Sequence, residues 1–305
     1  MTGRRPRAAG LLMVGLLALT GCGGGGRPAT TADPVAEGSV EDQLGFDTAG
    51  TLARQAAVEN EISVCMKAQG FDYVAVDAVA ARTALVGSPR MSDAEFRRQF
   101  GYGISTLYDR ASRQTDPNTR LRIVLSPADR AAYDRTLSGG NPESTFALAV
   151  DTGDFTQLGG CTKQATESVF GGAELLTTLQ GQLDALDERI VQDQRMVRAA
   201  EAWSACMKDA GYRYAEPDET DADFTRRLRA IVGPPPAPGE IPARRPYDRA
   251  ALAALQRLET AVGTTDLRCE EKHIYPVERV VRAQQEAVFR QENRALLARV
   301  RPVKR

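Results

Sequence analysis

The chain has 305 residues, 42% hydrophobic and 26% charged, with 39 basic against 40 acidic side chains and a net charge of −1. Such a balance lacks the basic stripe that nucleic acid requires, so no nucleic-acid partner is expected. One histidine, His273, and no Cys-x-x-Cys pair exclude a conventional zinc finger or multi-histidine zinc site, and no metal or cofactor is expected.

Arg4, Arg5 and Arg7 precede an unbroken run of apolar and small residues over 8–19. A permanent membrane helix needs about 20 apolar residues. A basic start followed by a shorter apolar core is instead an export signal. The run ends in Leu19-Thr20-Gly21-Cys22. This tetrapeptide resembles the lipobox of bacterial lipoproteins. The resemblance implies removal of 1–21 as a signal peptide and lipidation of Cys22. It also implies a protein anchored in the membrane through its N-terminal lipid, on the extracytoplasmic face of the cell membrane. Acyl chains contribute about 0.8 kcal/mol per buried methylene, so two or more chains anchor firmly. Loss of the three leader arginines takes the net charge from −1 to −4.

Residues 22–45 are rich in Gly, Thr, Ala and Pro and poor in bulky apolar side chains, the composition of a flexible tether. Beyond residue 45, the chain divides when compared with itself. Cys65-Met66-Lys67-Ala68-Gln69-Gly70-Phe71-Asp72-Tyr73 recurs as Cys206-Met207-Lys208-Asp209-Ala210-Gly211-Tyr212-Arg213-Tyr214. Ser92-Asp93-Ala94-Glu95-Phe96 recurs as Thr220-Asp221-Ala222-Asp223-Phe224, and Pro127 with Asp129-Arg130-Ala131 as Pro246 with Asp248-Arg249-Ala250. Cys161 is matched by Cys269. The order is kept while the separation shrinks, as if the second copy had shed loop length. The expectation is a mainly α protein of two related helical repeats, 46–172 and 173–305, joined by a long amphipathic helix.

Each landmark has a local meaning. Gly70 and Gly211 suit left-handed helix stops. Ser92-x-x-Glu95 reads as a capping box, and Thr220-x-x-Asp223 as a weaker one. Pro127 and Pro246 suit the first turn of a following helix. The joining helix is expected over 173–210, with Leu176, Leu179, Leu183, Leu186, Ile190, Val197 and Ala200 on one seam broken only by Asp193. The C-terminal stretch, with Val277, Val281, Val288 and Leu296, is its expected antiparallel partner. No later segment reads as membrane-spanning.

With Cys22 lipidated, Cys65, Cys161, Cys206 and Cys269 remain, an even count that reads as two disulfides in an exported chain. Three connectivities exist. Self-contained copies favour Cys65–Cys161 and Cys206–Cys269.

The remaining motifs carry little chemistry. Residues 233–239 form a Pro-rich stretch that reads as a connector, with a docking ligand as the alternative. Glu216, Asp218, Glu219, Asp221 and Asp223 lack the pattern of an EF-hand and read as helix N-terminal charge. Ser63/Lys67 and Ser204/Lys208 are one residue too far apart for the penicillin-recognising Ser-x-x-Lys and read as scaffold. No serine-hydrolase elbow, phosphate loop or dinucleotide fingerprint is present, so no catalytic residue is named. Trp203, Phe71, Tyr73 and Tyr214 read as core, or as the lining of a groove between the copies. The lipobox and repeated motif together resemble lipoproteins of high-GC Gram-positive bacteria carrying a duplicated Cys-Met-Lys…Gly-aromatic motif, a resemblance that brings no known activity. The expected role is non-enzymatic binding or scaffolding at the cell envelope, with an envelope protein as partner. The alternatives are a carboxylate-pair hydrolase, marked by a cleft with two acids about 5–10 Å apart, and a small-ligand binder with a closed apolar pocket.

Overall fold

A computed structural model describes residues 39–40, 44, 48–88, 91–111, 116–140, 155–234 and 246–300. The expected signal peptide, Cys22, nearly all of the tether and residues 235–239 of the Pro-rich stretch lie outside the described residues. The described chain is helical throughout, with no strand. In order the helices are α1 (Thr48–Ala68), α2 (Ala78–Val86), α3 (Asp93–Phe100), α4 (Tyr108–Ala111), α5 (Pro117–Ile123), α6 (Pro127–Ser138) and α7 (Gly160–Phe170). They continue as α8 (Ala173–Val191), α9 (Gln194–Asp209), α10 (Glu219–Val232), α11 (Arg249–His273), α12 (Tyr275–Glu292) and α13 (Arg294–Leu297).

Two disulfides staple the helices. Cys65 on α1 is bonded to Cys161 on α7 with Cα atoms 5.6 Å apart, and Cys206 on α9 to Cys269 on α11 with Cα atoms 5.9 Å apart. The helix ends carrying Cys65 and Cys206 have matching geometry. Gly70 and Gly211 take φ of 82° and 92°. The Phe71 and Tyr212 amides reach back to the Met66 and Met207 carbonyls at 3.0 and 2.9 Å, and Gly70 and Gly211 to Lys67 and Lys208. This paired pattern is a Schellman stop. Ser63 and Ser204 then donate to the carbonyls of Tyr73 and Tyr214, tying each extended segment onto its own helix. Met66 and Met207 are fully buried beneath these ends.

Helix starts obey capping chemistry, not always where the sequence pattern put it. Ser92 and Glu95 form a reciprocal capping box at α3, and Ser126 caps α6 with Pro127 in its first turn. Pro246, by contrast, lies ahead of α11, which begins after Asp248. Neither proline nor the arginine before it carries a side-chain acceptor, so capping passes to Asp248, whose carboxylate accepts from the amides of Ala250 and Ala251. Thr220 is not a cap either: α10 starts at Glu219, and the buried Thr220 hydroxyl donates to the Pro217 carbonyl.

The expected single helix over 173–210 is two helices. Asp193 takes extended geometry and caps α9 by accepting from the Arg195 amide. The break re-phases the apolar face. Leu176, Leu179, Leu186 and Ile190 are buried before it, but afterwards Met196, Ala199 and Trp203 face inward while Val197 is exposed. α8 and α9 both pack on α12. There Val281 and Phe289 are buried and Val288 is exposed.

The core forms three clusters. One joins α1, α6, α7 and the start of α8 around Met66, Tyr133 and Phe170. The largest joins α8 to α12 around Trp203, Phe224 and Phe289. A small one gathers Leu85, Phe100 and Leu107. The sequence halves are not self-contained. Val40 and Leu44 are buried in the largest cluster, and the Val40 amide donates to Glu286. The fold therefore begins by Val40, earlier than the tether boundary at residue 45. From the other direction, α3 of the first half packs against α11 of the second.

Candidate functional site

The polar centre of the molecule lies where α3 and the loop after it meet α11. Close approach is required. Gly101 has φ of 62°, and a Cβ there would stand 2.5 Å from the Glu259 carbonyl oxygen. A Cβ on Gly263 would stand 2.6 Å from the Gly101 Cα. Two glycines therefore let the loop lie directly on the helix. The Glu259 carboxylate, fully buried, captures the loop by accepting from the amides of Ile104 and Ser105, both at 2.7 Å, from Thr106 at 3.2 Å, and from the Ser105 hydroxyl. Gln256 adds a bond to the Ser105 carbonyl. Burial pushes the Glu259 carboxyl up against the pull of these donors.

Two turns further along α11 lies Asp266, 1% exposed. Its Oδ1 accepts from Trp203 Nε1 at 2.8 Å, and its Oδ2 from Tyr102 Oη at 2.8 Å and Arg97 at 2.9 Å. The same Arg97 nitrogen donates to Glu270 at 2.9 Å, and Tyr275 Oη donates to that carboxylate at 2.9 Å. The Arg97 guanidinium lies 4.6 Å over the Tyr102 ring. Burial and the neighbouring Glu270 charge push Asp266 up to about 6, against the pull of Arg97, Tyr102 and Trp203. Burial opposes the Arg97 charge, but Glu270 and Asp266 more than offset it and hold its pKa above the ordinary value. Asp221, on α10 beside them, is also raised by burial. Tyr102 and Tyr275 are raised by burial and by the carboxylates they serve.

A smaller polar group lies in the first half. Tyr73 Oη and the Val76 amide donate to Glu59, while Asn118 bonds both the amide and the carbonyl of Val74. Glu59 is raised, mainly by burial. The buried Tyr133 hydroxyl finds no partner among the described residues.

The residues singled out by sequence fall into place unevenly. Ser63 and Ser204 hold turns, as described. Glu219 accepts from the Ala215 amide, and Asp223 pairs with Tyr214, Arg226 and Arg227, so this acidic run secures the start of α10. No cluster of metal-ligating side chains occurs among the described residues. The four aromatics do not share a groove: Phe71 and Tyr73 belong to the first core, Trp203 and Tyr214 to the second. A groove does run along α11, beside Arg257, Thr260, Ala261, Thr264 and Arg268, but it is open to solvent rather than closed. Sequence reasoning missed Arg97, Tyr102, Glu259 and Asp266. Their signal was a Gly-Tyr-Gly loop and two carboxylates seven residues apart on the inward face of an amphipathic helix.

Asp266 and Glu270 do make a carboxylate pair with one raised member, the electrostatic mark of an acid–base centre. Asp266, however, is buried with both oxygens engaged by protein donors, and Glu270 Oε2 accepts from Arg97 and Tyr275. No helix is long and apolar enough to cross a membrane among the described residues. No protein-family model, curated protein or solved structure matches the chain.

Proposed function

We propose that this chain is an exported lipoprotein, anchored by lipid on Cys22 at the extracytoplasmic face of the cell membrane, with a non-enzymatic binding or scaffolding role in the cell envelope. The observation that carries the reading is the mutual satisfaction of the central ionisable groups. Arg97, Asp266, Glu270, Tyr102, Trp203 and Tyr275 bond one another rather than converging on an open cleft. Such a centre stiffens a body that offers shape and surface to a partner. Two bonded cysteine pairs accord with an oxidising compartment outside the cytoplasm. On this reading the halves descend from one duplicated module. The matching helix stops, serine ties and staples support that descent, and the second copy fused the equivalents of α6 and α7 into the single α11.

Two measurements test the proposal. Labelled palmitate should enter the protein, and Cys22→Ser should abolish both labelling and membrane retention. A cellular role that survives Glu270→Gln in a folded protein fits scaffolding. Its complete loss with the fold intact would favour the second reading, a hydrolase working through the Asp266–Glu270 pair, which the raised Asp266 alone recommends.

A further inference from the structure

Charge is unevenly placed along the chain. Residues 294–305 carry five basic and no acidic side chains, whereas 22–293 carry 31 basic against 40 acidic. On α12, Arg282 is answered by Asp187 and Glu278, and Arg290 by Glu286. Beyond that helix the pattern changes. Leu296, Leu297 and Val300 pack against the largest core and fix the segment on the body. Arg294 and Arg299 are left exposed and make no ion pair among the described residues. The sequence adds Arg301, Lys304 and Arg305, which lie outside the described residues. The chain leading from Cys22 enters the fold close by. The Val40 amide and the Arg290 guanidinium share Glu286 Oε2, at 3.3 and 3.1 Å. Arg294 follows Glu286 by eight residues, about 12 Å of helix. The step from Cys22 to Ser39 can span at most about 60 Å.

We propose that residues 294–305 form a basic face that docks on anionic phospholipid headgroups and holds the body against the bilayer carrying its lipid anchor. The setting rests on the anchor proposed above; the charge of the face does not. Guanidinium groups meet headgroup phosphates with paired N–H donors as well as charge. Each basic side chain near an anionic bilayer strengthens attachment about fivefold. A lipid holds one point of a protein and leaves the body free to turn, whereas a charged face near that point selects the side that meets the membrane. Placement favours a bilayer over a soluble polyanion, because the face lies beside the entry of the chain that leads to Cys22. The rest of the body is net acidic, so the same surface repels it and the orientation is sharpened.

Sedimentation with vesicles of phosphatidylcholine, alone or with about 30 mol% phosphatidylglycerol, tests the face. The protein used is residues 22–305 with Cys22→Ser, so that no lipid contributes to binding. It should bind the anionic vesicles and not the neutral ones, and binding should fall as salt screens the charges. Arg294→Gln with Arg299→Gln should weaken binding about 25-fold at an unchanged urea midpoint. Arg257→Gln with Arg268→Gln, which removes two exposed cations beside the groove on α11, should leave binding as it was. Five results overturn the proposal: no binding to either vesicle, equal binding to both, no loss from the pair at 294 and 299, an equal loss from the groove pair, or full release by soluble polyphosphate at matched phosphate. Palmitate labelling of the unsubstituted chain reads the anchor separately, so either idea can fail without the other.

Discussion

The Trp203 indole nitrogen donates to Asp266 Oδ1 across 2.8 Å, joining the fully buried ring to a carboxylate that is itself 1% exposed. The ring fills the space between α9 and α11, and its one polar atom supplies a donor that Asp266 needs while ionised. Packing and electrostatics therefore meet in one side chain.

Trp203→Phe keeps an aromatic ring but removes that donor and leaves a void. The combined loss should be about 2–4 kcal/mol, from an under-served buried acceptor and a cavity. The two parts separate by pH. The donor matters to the charged carboxylate, so urea denaturation should show a larger loss at pH 8 than at pH 5. Equal losses at both would assign the whole effect to packing.

Global stability should also follow the central carboxylates. Asp266 is raised in the folded state to about 6 from 3.8. The folded protein therefore holds the proton more tightly than the unfolded chain, and the contribution is fully present below the ordinary value. It is lost as pH rises through about 6. Asp193 works the other way: its bonds from Arg195 lower it to about 2, so its contribution is lost as pH falls from about 4 toward 2. A calorimetric series should accordingly show Tm higher by about 2–6 °C at pH 5 than at pH 7.5, then falling below pH 4. A monotonic rise of Tm from pH 5 to 7.5 would contradict the sign assigned to Asp266.

The staples close loops of 96 and 63 residues. Loop entropy alone gives about 4–5 kcal/mol for each in the unfolded chain, with native strain subtracting from it. Peptide mapping without reductant should recover Cys65 linked to Cys161 and Cys206 linked to Cys269. The double replacement Cys206→Ser with Cys269→Ser should lower the urea midpoint more than any single surface change. A Cys65–Cys206 peptide would remove the basis for treating the halves as equivalent.

Much of the local structure was legible because it is governed by a few positions. Gly70, Gly211, Ser92 and the apolar seam from Leu176 to Ile190 act within one or two turns, and they stand where the pattern placed them. Val197 and Pro246 did not, because Asp193 broke and re-phased a helix and Asp248 supplied a cap; Val288 is exposed and Thr220 lies inside α10, where the pattern had put a seam and a cap. The polar centre was illegible for a different reason. Arg97 and Asp266 are 169 positions apart, and their contact follows from α3 crossing to the other half, a choice that no local pattern records.

Gly70 and Gly263 are glycines for opposite reasons, and substitution should tell them apart. At Gly70 no atom lies within 4 Å of an added Cβ, so Gly70→Ala suffers only from its φ of 82°. That conformation costs an L-residue about 1–2 kcal/mol, less for Asn, so Gly70→Asn should be nearly tolerated. Gly263 is the reverse. It lies within a helix where alanine would normally gain about 1 kcal/mol, yet its Cβ would meet the Gly101 backbone at 2.6 Å. Backbone cannot step aside as a side-chain tip can, so the loop must lift, carrying the 104–106 amides away from Glu259. Gly263→Ala should therefore destabilise by about 2–3 kcal/mol, reversing the sign helix propensity alone gives. Urea denaturation of both variants decides the matter. Stabilisation by Gly263→Ala would mean that the loop does not lie on α11 at all.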